Sequence, residues 1–273
     1  MGLDCAAAKF LCAAKHAGVD FSDTLMIGRQ TYLIEEPCLL QIASALGQSR
    51  KPLTPPIHGE WAEWFFRLLG ADEPKSLDGS GLEGATYVQD LNGPADSALA
   101  RQFSAVFDGG TLEHVFNVPN ALQICLDMVR LNGHYLILTV ANNFMGHGFW
   151  QFSPDFFFRV LSRENGYELK AVLLHELLPD GSWYAVRDPK EVFRRVELIN
   201  KTPTYIMALA QRVSYQPIFA HSPLQSDYSD IWASKNVQWQ TAPWGQWTNR
   251  AYTFEADSFR QLTEDELLAG HLT

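Results

Sequence analysis

Short apolar segments that end at glycine or aspartate constrain the fold of this 273-residue chain more than any other feature. Three of them are residues 23–28, 85–91 and 103–108, and glycine, asparagine or proline residues bound them. Strands buried on both faces of a parallel sheet have continuous apolar runs of this kind. Open α/β sheets bind ligands at the carboxyl ends of their strands. The pattern therefore predicts an open α/β sheet with acidic residues along a ligand-binding edge.

Further strands and the intervening helices follow from the same patterns. We predict strands at 75–78, 134–140, 168–176 and 204–213 and helices at 37–46, 60–69, 117–130 and 156–161. The clearest helix begins at Asn117 as N-cap, has Pro119 in its first turn and stops at Asn132-Gly133. Whether strand 204–213 pairs parallel or antiparallel with its predecessor is open from the pattern alone. We predict an N-terminal helix at 1–22, a Rossmann-like domain at 23–214 and a Trp-rich, irregular extension at 215–273 that packs on this domain.

Charge and composition exclude several classes of partner. The formal net charge is -10 and no dense run of basic residues occurs, so nucleic acid is not an expected partner. The apolar stretches are far shorter than the roughly 20 residues that span a bilayer, so no membrane partner is expected. The start of the chain lacks the basic region of a signal peptide. Four cysteines without a C-x-x-C pair are typical of a reduced compartment, and we expect a cytoplasmic protein.

Gly79, Gly81 and Gly84 match the G-x-G-x-x-G pattern of dinucleotide-binding sites. That site needs a helix directly after the glycines, because the helix N-terminus receives the phosphates. Here the following residues, ATYVQDL, are strand-like. We therefore interpret the segment as a turn between two strands.

An adenosyl ligand at the strand ends would need close backbone approach, a carboxylate for the ribose hydroxyls and a polar group for the adenine. The segment Gly28-Arg29-Gln30 offers the first, Asp78 the second and Asp90 the third. Aspartate before glycine or asparagine also commonly caps a turn, which is the structural alternative for both acids. The full set of predicted cofactor-binding residues is Gly28, Arg29, Gln30, Asp78, Gly79, Asp90, Leu91, Asp108, Gly109 and Gly110.

Two histidines in loops are the candidates for acid–base chemistry. His114 follows Glu113 between the strand end at 108–110 and the helix at 117, and His147 lies between two glycines. An unperturbed histidine has a pKa near ~6.5, which suits a general base. We predict that His114, His147 and Glu113 are catalytic. The aromatic residues Phe149, Trp150 and Phe152 then predict an acceptor-binding lid, although they could equally fill the core.

Three segments resemble class I S-adenosylmethionine-dependent methyltransferases: YVQDLN at 87–92, FSAVFDGGTLEHVFN at 103–117 and LNGHYLILTVANN at 131–143. The resemblance covers about residues 23–213 and implies a seven-stranded sheet whose last strand inserts antiparallel beside the sixth. It also implies that Gly28 stands in the first glycine-rich turn, that Asp78 is the ribose acid and Asp90 the adenine-side acid, and that Asp108-Gly109 ends the fourth strand. The implied activity is methyl transfer from S-adenosylmethionine to an oxygen or nitrogen atom of a small molecule.

The first turn, MIGRQT, lacks the acid-x-Gly-x-Gly sequence of that family. A methyltransferase-like binding or scaffold protein without catalysis is therefore the alternative function. A metal-dependent hydrolase built from Asp108, His114, His147 and His175 is a third hypothesis, but no H-x-H or H-E-x-x-H spacing supports it. We accordingly predict no metal site.

Overall fold

The computed structural model describes residues 2–48, 53–178, 181–233, 238–239 and 257–273. The strands are β1 Gly2–Leu3, β2 Thr24–Ile27, β3 Thr31–Tyr32, β4 Lys75–Asp78, β5 Tyr87–Val88, β6 Phe103–Gly109, β7 Val129–Val140, β8 Tyr167–Glu176, β9 Trp183–Val186, β10 Thr204–Arg212 and β11 Phe259–Leu262. The helices are α1 Cys5–His16, α2 Glu36–Ala45, α3 Glu63–Leu68, α4 Val118–Met128, α5 Pro154–Val160, α6 Pro189–Val192, α7 Ser226–Trp232 and α8 Glu264–Leu268. No helix among these residues is long and apolar enough to cross a membrane.

One large sheet has the strand order β11-β9-β8-β10-β7-β6-β2-β4-β5. The strands β5, β4, β2, β6 and β7 are parallel. Strand β10 lies between β7 and β8 and is antiparallel to both. This arrangement confirms the predicted α/β sheet and the antiparallel insertion of strand 204–213, which the strand pattern by itself left open.

The sheet has nine strands among the described residues, whereas the resemblance predicted seven. The two additional strands, β9 and β11, pair antiparallel beyond β8 at one edge. Strand β11 and helix α8 also replace part of the extension that was predicted to be irregular. The prediction was wrong there because FRQL is only four residues long and its burial does not alternate, so it has no strand period to recognise without its partner β9. Trp244 and Trp247, which belonged to the same prediction, lie outside the described residues.

Strand β7 begins five residues earlier than the sequence indicated, at Val129 rather than His134. Helix α4 ends at Met128 because the guanidinium of Arg212 donates hydrogen bonds to the carbonyls of Leu126, Asp127 and Val129. Gly133 is part of a bulge within the strand, where a Cβ atom would lie 2.9 Å from the carbonyl oxygen of Ser104. The predicted helix stop at Asn132-Gly133 is therefore a strand irregularity.

Alternating strand residues serve two hydrophobic clusters, one on each face of the sheet. Met26 belongs to the cluster with α1 and α3, while Leu25 and Ile27 belong to the cluster with α4 and α5. Side chains on a strand point alternately to opposite faces, so both faces of β2 must be covered by helices. The sheet is thus buried on both sides.

Candidate functional site

The carboxyl ends of β2 and β6 meet where the strand order reverses. From β2 the chain proceeds outward through β4 and β5, then returns to β6 on the other side of β2. Ligands of open α/β sheets bind at such a switch point. Here the Thr111 hydroxyl donates a hydrogen bond to the carbonyl of Ile27 at 2.9 Å and so ties the two strand ends together.

Gln30 lies beside this switch point and is only 2% exposed. Its side-chain amide nitrogen donates to the carbonyl of Gly28 at 3.1 Å, and its Oε1 has no hydrogen-bond partner among the described residues. A Cβ atom on Gly109 would lie 2.5 Å from that oxygen. The glycine therefore permits the close approach of the Gln30 side chain. Direct cofactor contact by Gln30 and Gly109 stays a prediction.

Arg29 is held by its surroundings. Its Nε donates to Glu63 at 2.7 Å, one terminal nitrogen donates to the carbonyl of Glu83 at 2.7 Å, and the guanidinium lies 4.5 Å from the Trp61 ring centroid. The backbone of Gly28 has φ +74°, which favours glycine. Arg29 thus connects the first turn to α3 and to the turn at 79–86.

Asp78 and Asp90 lie at the ends of β4 and β5, on the side of the switch point predicted for the adenosine. The Asp78 carboxylate accepts a hydrogen bond from the Ser80 amide at 3.1 Å. Hydrogen bonds from the backbone and side chain of Asn92 keep the pKa of Asp90 below its usual value. Both turn-capping contacts fit the structural alternative, and they leave carboxylate lone pairs for ribose or adenine donors. Next to them, Gly79 is exposed, whereas Leu91 is buried and its carbonyl accepts from Asn120.

Asp108 is fully buried at the end of β6. One carboxylate oxygen accepts from the amides of Gly110 and Thr111 at 3.0 and 2.7 Å, and the other has no hydrogen-bond partner among the described residues. Burial, followed by the nearby charge of Glu113, raises the pKa of Asp108 to about 8. Asp108 shapes the turn that leads into the catalytic candidates.

The structure brings together the three predicted catalytic residues, Glu113, His114 and His147. One ligand-type atom from each lies within 4.8 Å of the other two. The imidazole rings are 4.9 Å apart between centroids, and His147 Nε2 lies 3.8 Å from Glu113 Oε1. Burial raises the pKa of Glu113, and burial together with His147 lowers the pKa of His114. We call these three residues the Glu-His-His cluster.

A loop of residues 142–152 carries His147 to the cluster. The backbone amides of Phe149 and Trp150 donate to the carbonyl of Glu113 at 2.7 and 3.3 Å, and the Trp150 indole donates to the carbonyl of Val115 at 3.0 Å. Phe149 and Trp150 are exposed beside the cluster, whereas Phe152 is buried against Phe156 and Phe157. Two of the three predicted lid aromatics are therefore at the mouth of the site, and the third belongs to the core.

Thr139 is a site residue that the sequence did not reveal. Its hydroxyl donates to Glu113 Oε2 at 2.8 Å from within β7. A threonine in an apolar strand is common, so the signal was only the polar atom in the run HYLILTV. His175, the remaining hydrolase candidate, is stacked on Trp183 at 4.0 Å and takes no part in the cluster.

The acidic residues at the strand ends differ in their accessibility. Asp78 is half-buried and Asp90 is exposed, whereas Asp108 is fully buried. The guanidinium of Arg29 is occupied by Glu63 and the Glu83 carbonyl. Unpaired buried acceptors occur on Gln30, Asp108 and Glu113.

No protein-family model and no curated protein matches this sequence. Solved structures that are similar include a methyltransferase of Thermotoga maritima described as S-adenosylmethionine-dependent, with 12% identity over 75% of this chain and 88% of that chain, at a TM-score of 0.41. A 1,6-didemethyltoxoflavin N1-methyltransferase of Burkholderia thailandensis has 12% identity over 76% and 79%, at 0.38. An Aquifex aeolicus methyltransferase has 8% identity over 73% and 87%, at 0.36.

The strand order of this chain identifies its fold. Five parallel strands, a reversal at β2 and an antiparallel strand inserted between β7 and β8 are all present. They match the arrangement implied by the resemblance of residues 87–92, 103–117 and 131–143. The chain therefore has the fold of the class I S-adenosylmethionine-dependent methyltransferases, with two strands added at one edge.

Proposed function

We propose that this protein transfers the methyl group of S-adenosylmethionine to an oxygen or nitrogen atom of a small molecule. The observation that carries the proposal is the position of the Glu-His-His cluster near a switch point where the accessible acids Asp78 and Asp90 follow β4 and β5. An acceptor between the crevice and the cluster would meet both a methyl donor and a proton acceptor.

Asp78 would hold the ribose hydroxyls, Asp90 the adenine side, and the turn at 108–110 the remaining part of the cofactor. When bound, the cofactor supplies an electrophilic methyl group on a sulfonium. His114 or His147 would take the proton that the acceptor oxygen or nitrogen loses as it receives the methyl group. Positioning of this kind can lower the barrier by about 7–11 kcal/mol, and a placed base adds about 100-fold or more.

Calorimetry with S-adenosylhomocysteine tests the cofactor part of the proposal. We expect wild-type protein to bind and Asp78→Asn to weaken binding about 10-fold or more, because a charged acceptor for hydroxyl donors is lost. Asp96→Asn is a matched control, since Asp96 is exposed and caps a turn through the same kind of contact, 2.9 Å to the Ala98 amide. Absence of binding by the wild type at millimolar ligand would contradict the proposal.

A binding or scaffold protein without catalysis is the second candidate. The observation in its favour is Gln30, whose side chain occupies the floor of the first turn. In that case the crevice would bind neither S-adenosylmethionine nor its product, and the same titration separates the two functions.

A further inference from the structure

Two polar atoms of the Glu-His-His cluster are buried without a hydrogen-bond partner among the described residues. Glu113 is 0% exposed; its Oε2 accepts from Thr139, but its Oε1 has no hydrogen-bond partner among the described residues. His147 Nε2 is likewise buried and unpartnered, 3.8 Å from that oxygen. A buried carboxylate oxygen without a donor is costly, and a nearby cation is one of the few ways to stabilise it.

The donor set indicates which cation fits. Two imidazole nitrogens and one carboxylate oxygen are the ligands of zinc and of neighbouring first-row divalent metals, whereas magnesium and calcium prefer oxygen alone. Two ligand atoms that each lie about 2 Å from a tetrahedral zinc are roughly 3.3 Å apart. The 3.8 Å between His147 Nε2 and Glu113 Oε1 needs only a small contraction to reach that spacing. His114, which is exposed, can turn its ring toward the same point.

The local backbone holds the ligands on two separate segments. Glu113 and His114 belong to a one-turn 3-10 helix at 112–114, and the loop that carries His147 is fastened to the Glu113 carbonyl by the Phe149 amide. Thr139 orients the carboxylate from behind, as the outer hydrogen bonds of metal ligands commonly do. Three protein ligands leave a coordination position free, which is the pattern of catalytic rather than structural zinc sites.

We propose that Glu113, His114 and His147 bind one divalent first-row metal ion, with zinc as the best match, and that its free coordination position faces the acceptor side of the crevice. The metal site rests on the geometry of the cluster, and only its use in catalysis rests on the proposed methyl transfer. A metal-bound hydroxyl or amine acceptor is more acidic than the free group. With the ion present, the imidazoles are ligands, and the acceptor's proton leaves to solvent instead of to a free histidine.

Metal binding is measured on full-length protein that has been dialysed against a chelator, by titration with Zn²⁺ and by the visible absorption of Co²⁺ added in its place. We expect one ion per chain and a nitrogen-ligated, low-symmetry Co²⁺ spectrum. Glu113→Gln, His114→Ala and His147→Ala should each weaken Zn²⁺ affinity by about 100-fold, because each removes one of three ligands. Glu113→Gln keeps the shape of the side chain, so it separates loss of the ligand from loss of the fold, which circular dichroism checks.

Two controls address the other metal-binding side chains. His58→Ala removes an exposed histidine that lies in a turn away from the cluster, and Cys5→Ser removes a thiol that contacts the Cys38 side chain. Both variants should bind Zn²⁺ like the wild type. Binding that survives Glu113→Gln and His147→Ala, binding that Cys5→Ser abolishes, or no binding to the wild type would each overturn the proposal. Binding of S-adenosylhomocysteine is measured separately. It tests the proposed methyl transfer independently of the metal site.

Discussion

Arg212 carries a positive charge in the interior and is 1% exposed. Its guanidinium donates to the carbonyls of Leu126, Asp127 and Val129, pairs with the Asp127 carboxylate at 3.1 Å, and lies 4.6 Å from the Tyr215 ring centroid. These contacts add donors at the end of α4, where the Leu126 carbonyl also accepts from the Tyr167 hydroxyl and the Asp127 carbonyl from the Arg101 amide. One side chain of β10 thus determines where a helix ends on another part of the chain.

Arg212→Met should lower the free energy of unfolding by about 3 kcal/mol, because the carbonyls of Leu126, Asp127 and Val129 and the Asp127 carboxylate each lose a charged donor. Urea denaturation followed by circular dichroism measures this change. Arg130→Met is the control, since Arg130 pairs with Asp20 and Asp23 at the surface and such pairs contribute about 0–1 kcal/mol. Equal losses in the two variants would show that the carbonyl contacts of Arg212 contribute little.

At the level of single residues, the structure brings Glu113, His114 and His147 together, and the sequence proposed all three as catalytic, a role that stays a prediction. The sequence did so from loop position, since glycines and a strand end surround them. It did not indicate that Glu113 would be fully buried, because burial there depends on the loop at 142–152 and on Thr139 of β7. The absence of an H-x-H or H-E-x-x-H spacing did not exclude a metal site, because His147 is far from Glu113 and His114 in the chain.

The loop of residues 142–152 is the element on which the site depends most. Gly146 and Gly148 both have positive φ, at +89° and +70°. They differ in their surroundings, because a Cβ atom on Gly148 would lie 2.5 Å from the Glu113 carbonyl oxygen, whereas one on Gly146 would meet nothing within 4 Å. Close contact of the loop with Glu113 therefore requires glycine at 148 for space as well as for conformation.

Gly148→Ala should displace His147 from Glu113 and lower Zn²⁺ affinity about 10-fold or more, while Gly146→Ala should leave the affinity nearly unchanged. Both variants carry the same backbone strain of about 1 kcal/mol, so the pair isolates the steric effect. Calorimetric titration with Zn²⁺ compares them, and melting temperatures confirm that both fold. Identical affinities for the two variants would mean that the loop does not need to approach Glu113 to bind the ion.

Elements were predicted with unequal success for a physical reason. Strands β2, β4, β6, β8 and β10 match the sequence within about one residue, because their apolar runs have turn residues at both ends. The boundary between α4 and β7 was misplaced because Arg212 decides it from another strand. Strands β1, β3, β9 and β11 are two to four residues long and were not predicted, because such short strands have no recognisable period.

Two buried histidines affect the response of the whole molecule to acid. Burial lowers the pKa of His134 to about 4, with a further lowering by Lys170 and an opposing effect of Asp20. Burial also lowers the pKa of His175 to about 4. Between pH about 6.5 and 4 the unfolded chain binds protons that the folded molecule does not. These histidines therefore reduce stability as the pH falls through that range, while buried acids with raised pKa values, such as Asp108, act in the opposite direction.

His134→Gln should make the molecule less sensitive to acid. Between pH 7 and pH 4.5, the free energy of unfolding should fall by up to about 3 kcal/mol less in the variant than in the wild type. The reason is that the unfolded variant has one proton fewer to bind. Urea denaturation at the two pH values gives the difference. His271→Gln, at an exposed histidine near the C-terminus, should follow the wild type at both pH values. A wild-type pH dependence in His134→Gln would show that His134 titrates normally in the folded protein.

The sequence by itself determined the α/β class, the order of the main strands and the positions of the acidic strand ends, because these depend on local periodicity and turn residues. The family resemblance implied the antiparallel insertion of β10, which the strand pattern left open and the structure confirms. Only the tertiary structure decided that β9 and β11 extend the sheet and that the Gln30 side chain lies against Gly109. It also decided that Glu113 becomes a buried carboxylate facing two imidazoles. Those outcomes depend on which segments pack together although they are far apart in the chain. Local sequence patterns do not contain the free energies of strand pairing, burial and desolvation that decide such packing.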